Sequence, residues 1–259
     1  MARDETVASF RHGIDVIRSF TRDHRRQTIT EVAGRTGLSR SAARRLLLTL
    51  CDTGLARTDG KHFQLTPAVL AFGQAFLEGM SELEVVRDVL QDLTHRTGES
   101  ASAATLVGTE VIYVTRLPSP NRNLPASVGP GFRRPAHATS IGQVLLANLH
   151  PRELDRFLAT APLEPCTDKT IIDPRLLRAR LQLVRERGYA MIFEELMPGH
   201  CSIAVAVPPA PAAEASGWTR LGIASSTQSG RMGEAAMKAA LLGPLRDAAD
   251  AIARLALNL

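Results

Sequence analysis

The chain has 259 residues, 44% of them hydrophobic and 22% charged. That balance supports a packed core, excludes a disordered or fibrous chain, and suits one large domain or two small ones. The formal net charge is +5, but it is uneven: residues 22–61 hold nine Lys/Arg against four Asp/Glu, and everything else sums to zero. A basic excess confined to one window points to a polyanion partner for that window, or else to a solvated basic face. The three cysteines, Cys51, Cys166 and Cys201, have no CxxC spacing. They argue against a disulfide framework or zinc site and for a reduced, cytoplasmic protein. Apolar runs such as Leu46 to Leu48 or Ile203 to Val207 fall far below the roughly 18 residues of a membrane span. Met1-Ala2-Arg3-Asp4-Glu5 carries acids and no apolar stretch, so no secretory signal is expected.

Residues 9–21 place Phe10, Ile14, Ile17 and Phe20 on one apolar helical stripe. Thr28-Ile29-Thr30-Glu31 has the spacing of a capping box and opens a short helix that Gly37 ends in a left-handed turn. Ser39 caps the next helix, from Arg40 to about Thr53, closed by Gly54. Asp59-Gly60, between alternating segments, predicts a hairpin over 55–65. Thr66-Pro67 caps a further helix with Pro at its first position; Val69, Leu70, Phe72, Phe76 and Leu77 give it a broad apolar face. That face is either a dimer contact or packed on its own domain. Ser81-Glu82-Leu83-Glu84 is a second capping box, opening a helix that stops near Gly98. The domain boundary therefore falls between Glu78 and Ser81, giving 1–78 and 81–259.

Beyond it, 102–107 and 110–117 read as strands joined at Gly108-Thr109, and Leu124–Val128 as another. Thr139–Asn148 and Pro151–Ala159 read as helices. Asp173-Pro174 caps a third, ending at Gly188. Met191–Phe193, Ile203–Val207 and Leu221–Ser225 read as strands, Pro208-Pro209-Ala210-Pro211 as a surface loop, and 231–258 as a long terminal helix. Strands interleaved with helices make this second region a mixed α/β domain.

Two short helices joined by Gly37-Leu38-Ser39 form a helix-turn-helix. Val32, Ala33, Thr36, Leu38, Ala43 and Leu46 sit where such a unit packs, with Ala33 and Gly37 expected as the closest approaches. The second helix opens Arg40-Ser41-Ala42-Ala43-Arg44-Arg45. In this motif that end enters the major groove, where Arg can donate two hydrogen bonds to a guanine edge. Arg40, Ser41 and Arg44 share one face; Arg45 either joins them or covers apolar surface with its stem. Thr28, Ser39 and the helix-start amides suit phosphate contact. The hairpin is a wing, from which Arg57 and Lys61 reach backbone or minor groove.

Catalysis and metal binding find no footing. His200-Cys201 are adjacent on an extended segment, so their side chains point to opposite faces, and Cys201 reads as a small buried residue. His137 reads as a structural hydrogen-bonding group. The seven histidines show no HxxxH or HExxH spacing, and no GxSxG, GxGxxG or Walker A occurs. An enzyme, a metal site and a cofactor are not expected.

Several segments, in order, resemble the IclR family of bacterial transcription regulators. They are Leu46–Leu50 after Arg44-Arg45, Phe63-Gln64-Leu65-Thr66-Pro67, Gly98-Glu99-Ser100, Pro135 through Gly142, Arg187-Gly188-Tyr189 and Glu194-Glu195. Ala138-Thr139-Ser140 with Val144-Leu145-Leu146-Ala147 is most similar to the branch controlling protocatechuate and 4-hydroxybenzoate catabolism. The resemblance implies an N-terminal winged helix-turn-helix, a linker helix and a C-terminal GAF-like effector-binding domain. It also implies homodimers or tetramers on (pseudo)palindromic DNA operators.

By motif, the resemblance carries effector contacts to Ser140, Ile141, Ile192, Ser202, Ala224 and Ser226. The helix start at Ser140 would receive a carboxylate, with Ser202 and Ser226 as further polar contacts. The chain departs from the family pattern where Ile192 replaces an acid and Ala206 a proline. Apolar Ile192 and Ala224 favour a small aromatic acid over a tiny oxoacid. Arg116, Arg133 and Arg134 either neutralise that acid or are solvated or ion-paired in loops. The segment from Pro67 to about Leu93 is the expected transmitter between the domains. The competing reading is a ligand-binding or protein-interaction module whose winged helix does not read DNA.

Overall fold

The computed structural model describes residues 6–21, 23–78, 82–120, 129–208 and 220–255. The predicted strand at 124–128, the Ser81 cap and most of the 208–211 loop lie outside them. The chain divides into two compact units, Met1–Gly79 and Met80–Leu259.

The first unit contains α1 (Ala8–Ser19), α2 (Ile29–Thr36), α3 (Arg40–Asp52), the antiparallel strands β1 (Ala56–Thr58) and β2 (Phe63–Leu65), and α4 (Leu70–Glu78). Thr28 and Glu31 form both halves of the capping box, and Gly37 closes α2 at φ 69°. Ser39 caps α3 through the Ala42 amide at 3.2 Å. Val16, Val32, Ala43, Leu47, Leu50, Ala56 and Phe63 form one small core. Ala33 belongs to it, but Gly37 does not mark a close approach: a Cβ there would meet nothing within 4 Å. Its glycine is required by the left-handed backbone, not by space. The apolar stripe of α1 also needs correcting. Phe10 is 72% exposed, whereas Val16 is fully buried and anchors the helix. The helix predicted from Pro67 starts as a 3₁₀ turn, Pro67–Val69, with Thr66 capping at Ala68.

The second unit is a six-stranded antiparallel sheet in the order β5-β4-β3-β8-β7-β6. Its strands are β3 (Ser100–Val107), β4 (Glu110–Leu117), β5 (Arg133–Pro135), β6 (Ala190–Phe193), β7 (His200–Ala206) and β8 (Leu221–Gln228). On one face pack α5 (Glu82–Thr97) and the terminal helix α9 (Glu234–Leu255); on the other, α6 (Ser140–Ala147) with α7 (Pro151–Thr160) and α8 (Pro174–Arg187) behind it. The terminal helix starts three residues later than predicted. This is the GAF-like α/β arrangement.

Gly142 fixes the start of α6. A Cβ there would lie 2.0 Å from the Ala136 carbonyl oxygen, so the 3₁₀ turn Ala136–Ala138 can press on the helix only if residue 142 has no side chain. On the sheet side, a Cβ at Gly222 would lie 2.8 Å from Ile141 Cγ2. These two glycines seat α6 directly on β8.

Candidate nucleic-acid interface and effector site

The basic window becomes a surface. Arg40, Ser41, Arg44 and Arg45 are all exposed on α3, while Ala43, Leu47 and Leu50 point into the core. Burying one stripe of α3 leaves the opposite one, with its arginines, in solvent. None of these arginines forms an ion pair among the described residues. The Thr28 hydroxyl is engaged with Glu31, accepting its amide at 3.4 Å. The Ser39 hydroxyl is shared between the Ala42 amide and Ser41 Oγ, at 3.1 Å from the latter. Both hydroxyls therefore act first as helix caps.

Arg57 is exposed on β1, 3.4 Å from Gln64 Oε1, and Lys61 is exposed in the hairpin loop. Two residues that sequence reasoning missed hold this wing. Gln27 exchanges backbone hydrogen bonds with Phe63 at 3.0 and 2.8 Å. Arg26 pairs with Asp59 at 2.5 Å. Amides of His62 and Lys61, with Arg26 nearby, hold the Asp59 carboxyl below its ordinary range. The charge of the Asp59 carboxylate is thus offset by Arg26 within the wing, and Lys61 forms no ion pair among the described residues.

In the second unit the strand register brings most predicted effector residues to one sheet face. Ser202 pairs with Ser226 across β7 and β8, and Ile192 with Ser202 across β6 and β7. Ser140 Oγ lies 2.7 Å from Ser202 Oγ, both buried, tying the first residue of α6 to the sheet. Ile141 and Ala224 are members of the core packed between α6 and β8, and Ile192 is 1% exposed. At the start of α6 Thr139 accepts the Gly142 amide at 3.0 Å, and the Ser140 hydroxyl bonds Ser202.

The arginines separate. Arg133 is ion-paired with Glu110 at 2.6 Å. Arg116 and Arg134 stand on β4 and β5, not in loops, and both are partly buried. Arg134 lies over the Phe132 ring, 4.2 Å from its centroid. Both act on the same two neighbours. Burial raises the Tyr113 hydroxyl's pKa against their pull. Burial, then Arg116 and Arg134, lower His200 to about 4. Tyr113 was missed because β4 is bulged opposite Ala103/Ala104, and a bulge leaves little trace in a strand's alternation.

The remaining motif residues are structural. Glu195 is buried, accepting from Gln143 Nε2 at 2.9 Å and Arg180 Nη1 at 3.1 Å. Glu194, at φ 60°, is bound by Lys169, Ser229 and the Gly199 amide. These partners lower it to about 2. His137 Nε2 lies 3.0 Å from the Glu164 carbonyl oxygen, and Cys201 is fully buried. Among the described residues no helix is long and apolar enough to cross a membrane, and no cluster could hold a metal ion.

Comparison with known proteins agrees with this architecture. The family profile of the IclR helix-turn-helix domain matches residues 9–60, and that of the bacterial transcriptional regulator IclR C-terminal region matches 74–254. The Pca regulon regulatory protein of Pseudomonas putida is 34% identical over 226 residues, 87% of this chain and 76% of its own. The p-hydroxybenzoate hydroxylase transcriptional activator of Acinetobacter baylyi is 35% identical over 208 residues, 79% of this chain and 77% of its own. A transcriptional regulator from Rhodococcus sp. RHA1 superposes with TM-score 0.76 at 35% identity, covering 96% of this chain and 98% of that one. An IclR homologue from Microbacterium hydrocarbonoxydans, complexed with 4-hydroxybenzoate, shares the fold with TM-score 0.73 at 22% identity, covering 97% and 99%. With a helix-turn-helix carrying exposed arginines, a separate sheet unit and relatives that regulate transcription, this chain belongs to the IclR family of bacterial transcription regulators and is not an enzyme.

Proposed function

We propose that residues 1–78 and 81–259 divide the work into operator binding and effector sensing. The first region binds a (pseudo)palindromic operator through Thr28, Ser39, Arg40, Ser41, Arg44 and Arg45 of the helix pair and Arg57 and Lys61 of the wing. The second binds a small aromatic carboxylic acid among Ser140, Ile141, Ile192, Ser202, Ala224 and Ser226. The observation that carries this reading is the exposed, ion-pair-free arginine face of α3, fixed by burial of its other side. One recognition helix covers few base pairs, so a homodimer or tetramer is needed for specific affinity. The exposed apolar side chains of α4, Leu70 at 70% and Phe72 at 66%, support a subunit contact there. The unpaired cysteines support a cytoplasmic setting.

The aromatic acid is supported by the two catabolic regulators of 34% and 35% identity and by the apolar Ile192 beside the serines. Effector changes operator affinity only through unequal affinity for two states of the oligomer. Mobility shift with the protein's own upstream DNA, titrated with protocatechuate, 4-hydroxybenzoate or glyoxylate, tests both parts. Saturable, sequence-specific retardation altered by an aromatic acid is the expected result. Sequence-blind, salt-sensitive retardation contradicts the operator reading; a response to glyoxylate alone contradicts the aromatic one.

A further inference from the structure

The face of the sheet that carries α6 has two zones. In one, Ala104, Gly222, Ala224 and Ala204 lie under Ile141 and Leu145, in direct contact. In the other the strand register lines up Ser100, Ser226 and Ser202 across β3, β8 and β7, with Ser102 one row along on β3. Neither the Ser102 nor the Ser226 hydroxyl bonds a described residue, whereas Ser100 donates to the Ser226 carbonyl at 3.1 Å.

Two arginines stand on the same face of the sheet. Arg116 pairs opposite Ser102, Tyr113 opposite Ala104, and Arg134 opposite Val111. Residues 113 and 116 are an odd number apart and would face opposite ways on a regular strand. The register shift at Ala103/Ala104 puts them on one face. His200 stands on β7 two residues before Ser202 and therefore on the same face. Arg116 and Arg134 each act electrostatically on both Tyr113 and His200, in keeping with the shared face that the register gives the four residues. Among the described residues no carboxylate pairs with Arg116 or Arg134, although Arg133 next door is paired with Glu110. The other groups near Arg134 are the Cys166 thiol, beside Glu164. Burial disfavours the charge of Arg116, so among the described residues the two arginines form a partly desolvated cation pair with no carboxylate in ion-pair contact. Such an arrangement costs stability and persists where an anion completes it.

We infer that Arg116 and Arg134 are the seat of the effector's carboxylate, with the rest of the molecule lying along the serine floor beside Tyr113 and His200. This rests on the reading of the unit as a sensor of a small carboxylic acid. It places the acid group at the β4–β5 side, where the two guanidinium groups stand, and not at the start of α6, where the Gly142 amide and the Ser140 hydroxyl are engaged by Thr139 and Ser202. The pair selects for a planar carboxylate, which two guanidinium groups can hold by several charge-assisted hydrogen bonds.

Calorimetry on the full-length protein tests this with 4-hydroxybenzoate, protocatechuate, glyoxylate and the uncharged 4-hydroxybenzamide. The variants are Arg116→Gln, Arg134→Gln and, as control, Arg133→Gln; Arg116→Lys guards against misfolding. Whichever carboxylate binds should lose about tenfold to a hundredfold in affinity in Arg116→Gln and Arg134→Gln, and stay within about twofold in Arg133→Gln. The amide should bind wild type no better than it binds these variants. The ligand-free Arg116→Gln protein should melt at or above the wild-type temperature, since an unpaired buried charge is removed; a merely structural arginine would give the opposite. Aromatic acids bound equally well by all variants overturn this inference and leave the proposed function standing. Glyoxylate alone, bound in an Arg116-dependent way, overturns the aromatic assignment and supports the seat. No carboxylate bound by wild type overturns both.

Discussion

The two units hold their proposed functional groups in opposite environments, one in water and one in the interior. The helix-turn-helix keeps Arg40, Arg44 and Arg45 in water, where a charge without a close partner costs almost nothing, and its core is apolar apart from the buried Gln27. The sheet unit keeps Ser202, Ser140, Arg116 and His200 inside or half inside, where every polar group must be partnered or held at a cost. The first unit can change its exposed arginines with little effect on folding; in the second, a substitution in the proposed site also alters stability, in either direction.

The largest expected effect separates the units on this ground. Gly142→Ala drives a methyl into the Ala136 backbone and should destabilise the sheet unit by at least about 3 kcal/mol, read by denaturant unfolding. Gly37→Ala meets open space and suffers only from its positive φ, so it should cost about 1 kcal/mol. Equal losses would break the distinction between a glycine required by space and one required by backbone.

The buried site should also make stability depend on acid. His200 sits near 4 because burial and the two arginines oppose its charge. The folded protein thus holds His200 neutral while the unfolded chain takes up a proton below about 6.5. Stability therefore falls as pH drops from about 6.5 to about 4, by up to roughly 2–3 kcal/mol, and His200→Gln should remove that part of the slope. A bound carboxylate should shrink it too. Unfolding midpoints across this pH range, wild type against variant, decide the point; identical profiles would contradict the placement of His200.

In the exposed unit, Arg40→Ala and Arg44→Ala should each weaken operator binding by roughly 1–3 kcal/mol and relax base preference, with melting temperature unchanged. Unaltered operator affinity in both would refute the recognition face. The smallest effect is Thr28→Ala, which removes the hydroxyl half of the α2 cap and leaves the Thr28 amide on Glu31; it should cost about 1 kcal/mol of stability.

The same contrast explains what sequence could disclose. Caps, the wing turn and the arginine face are local: Thr28, Gly37, Ser39 and Asp59-Gly60 state their roles within a few residues. The polar floor is made by register between strands far apart in the chain, so Ser100, Ser202 and Ser226 become neighbours only when the sheet forms. The strand β5 is three residues, Arg133-Arg134-Pro135, too short for alternation to show, with its proline tolerated at a sheet edge. The bulge that brings Tyr113 beside Arg116 has no sequence mark, and Gly142 reads as an ordinary helix residue until the Ala136 carbonyl is seen against it. Family resemblance supplied Ser140 and Ser202 where local reasoning could not.

The central claim is that one molecule couples acid binding in the sheet unit to operator binding by the helix-turn-helix. Operator affinity measured by fluorescence anisotropy, at fixed salt, with and without saturating 4-hydroxybenzoate, tests it most directly. The account predicts a sequence-specific affinity that the acid shifts about fivefold or more in wild type and leaves unmoved in Arg116→Gln. Wild-type affinity that no aromatic acid alters, or that ignores DNA sequence, would contradict it.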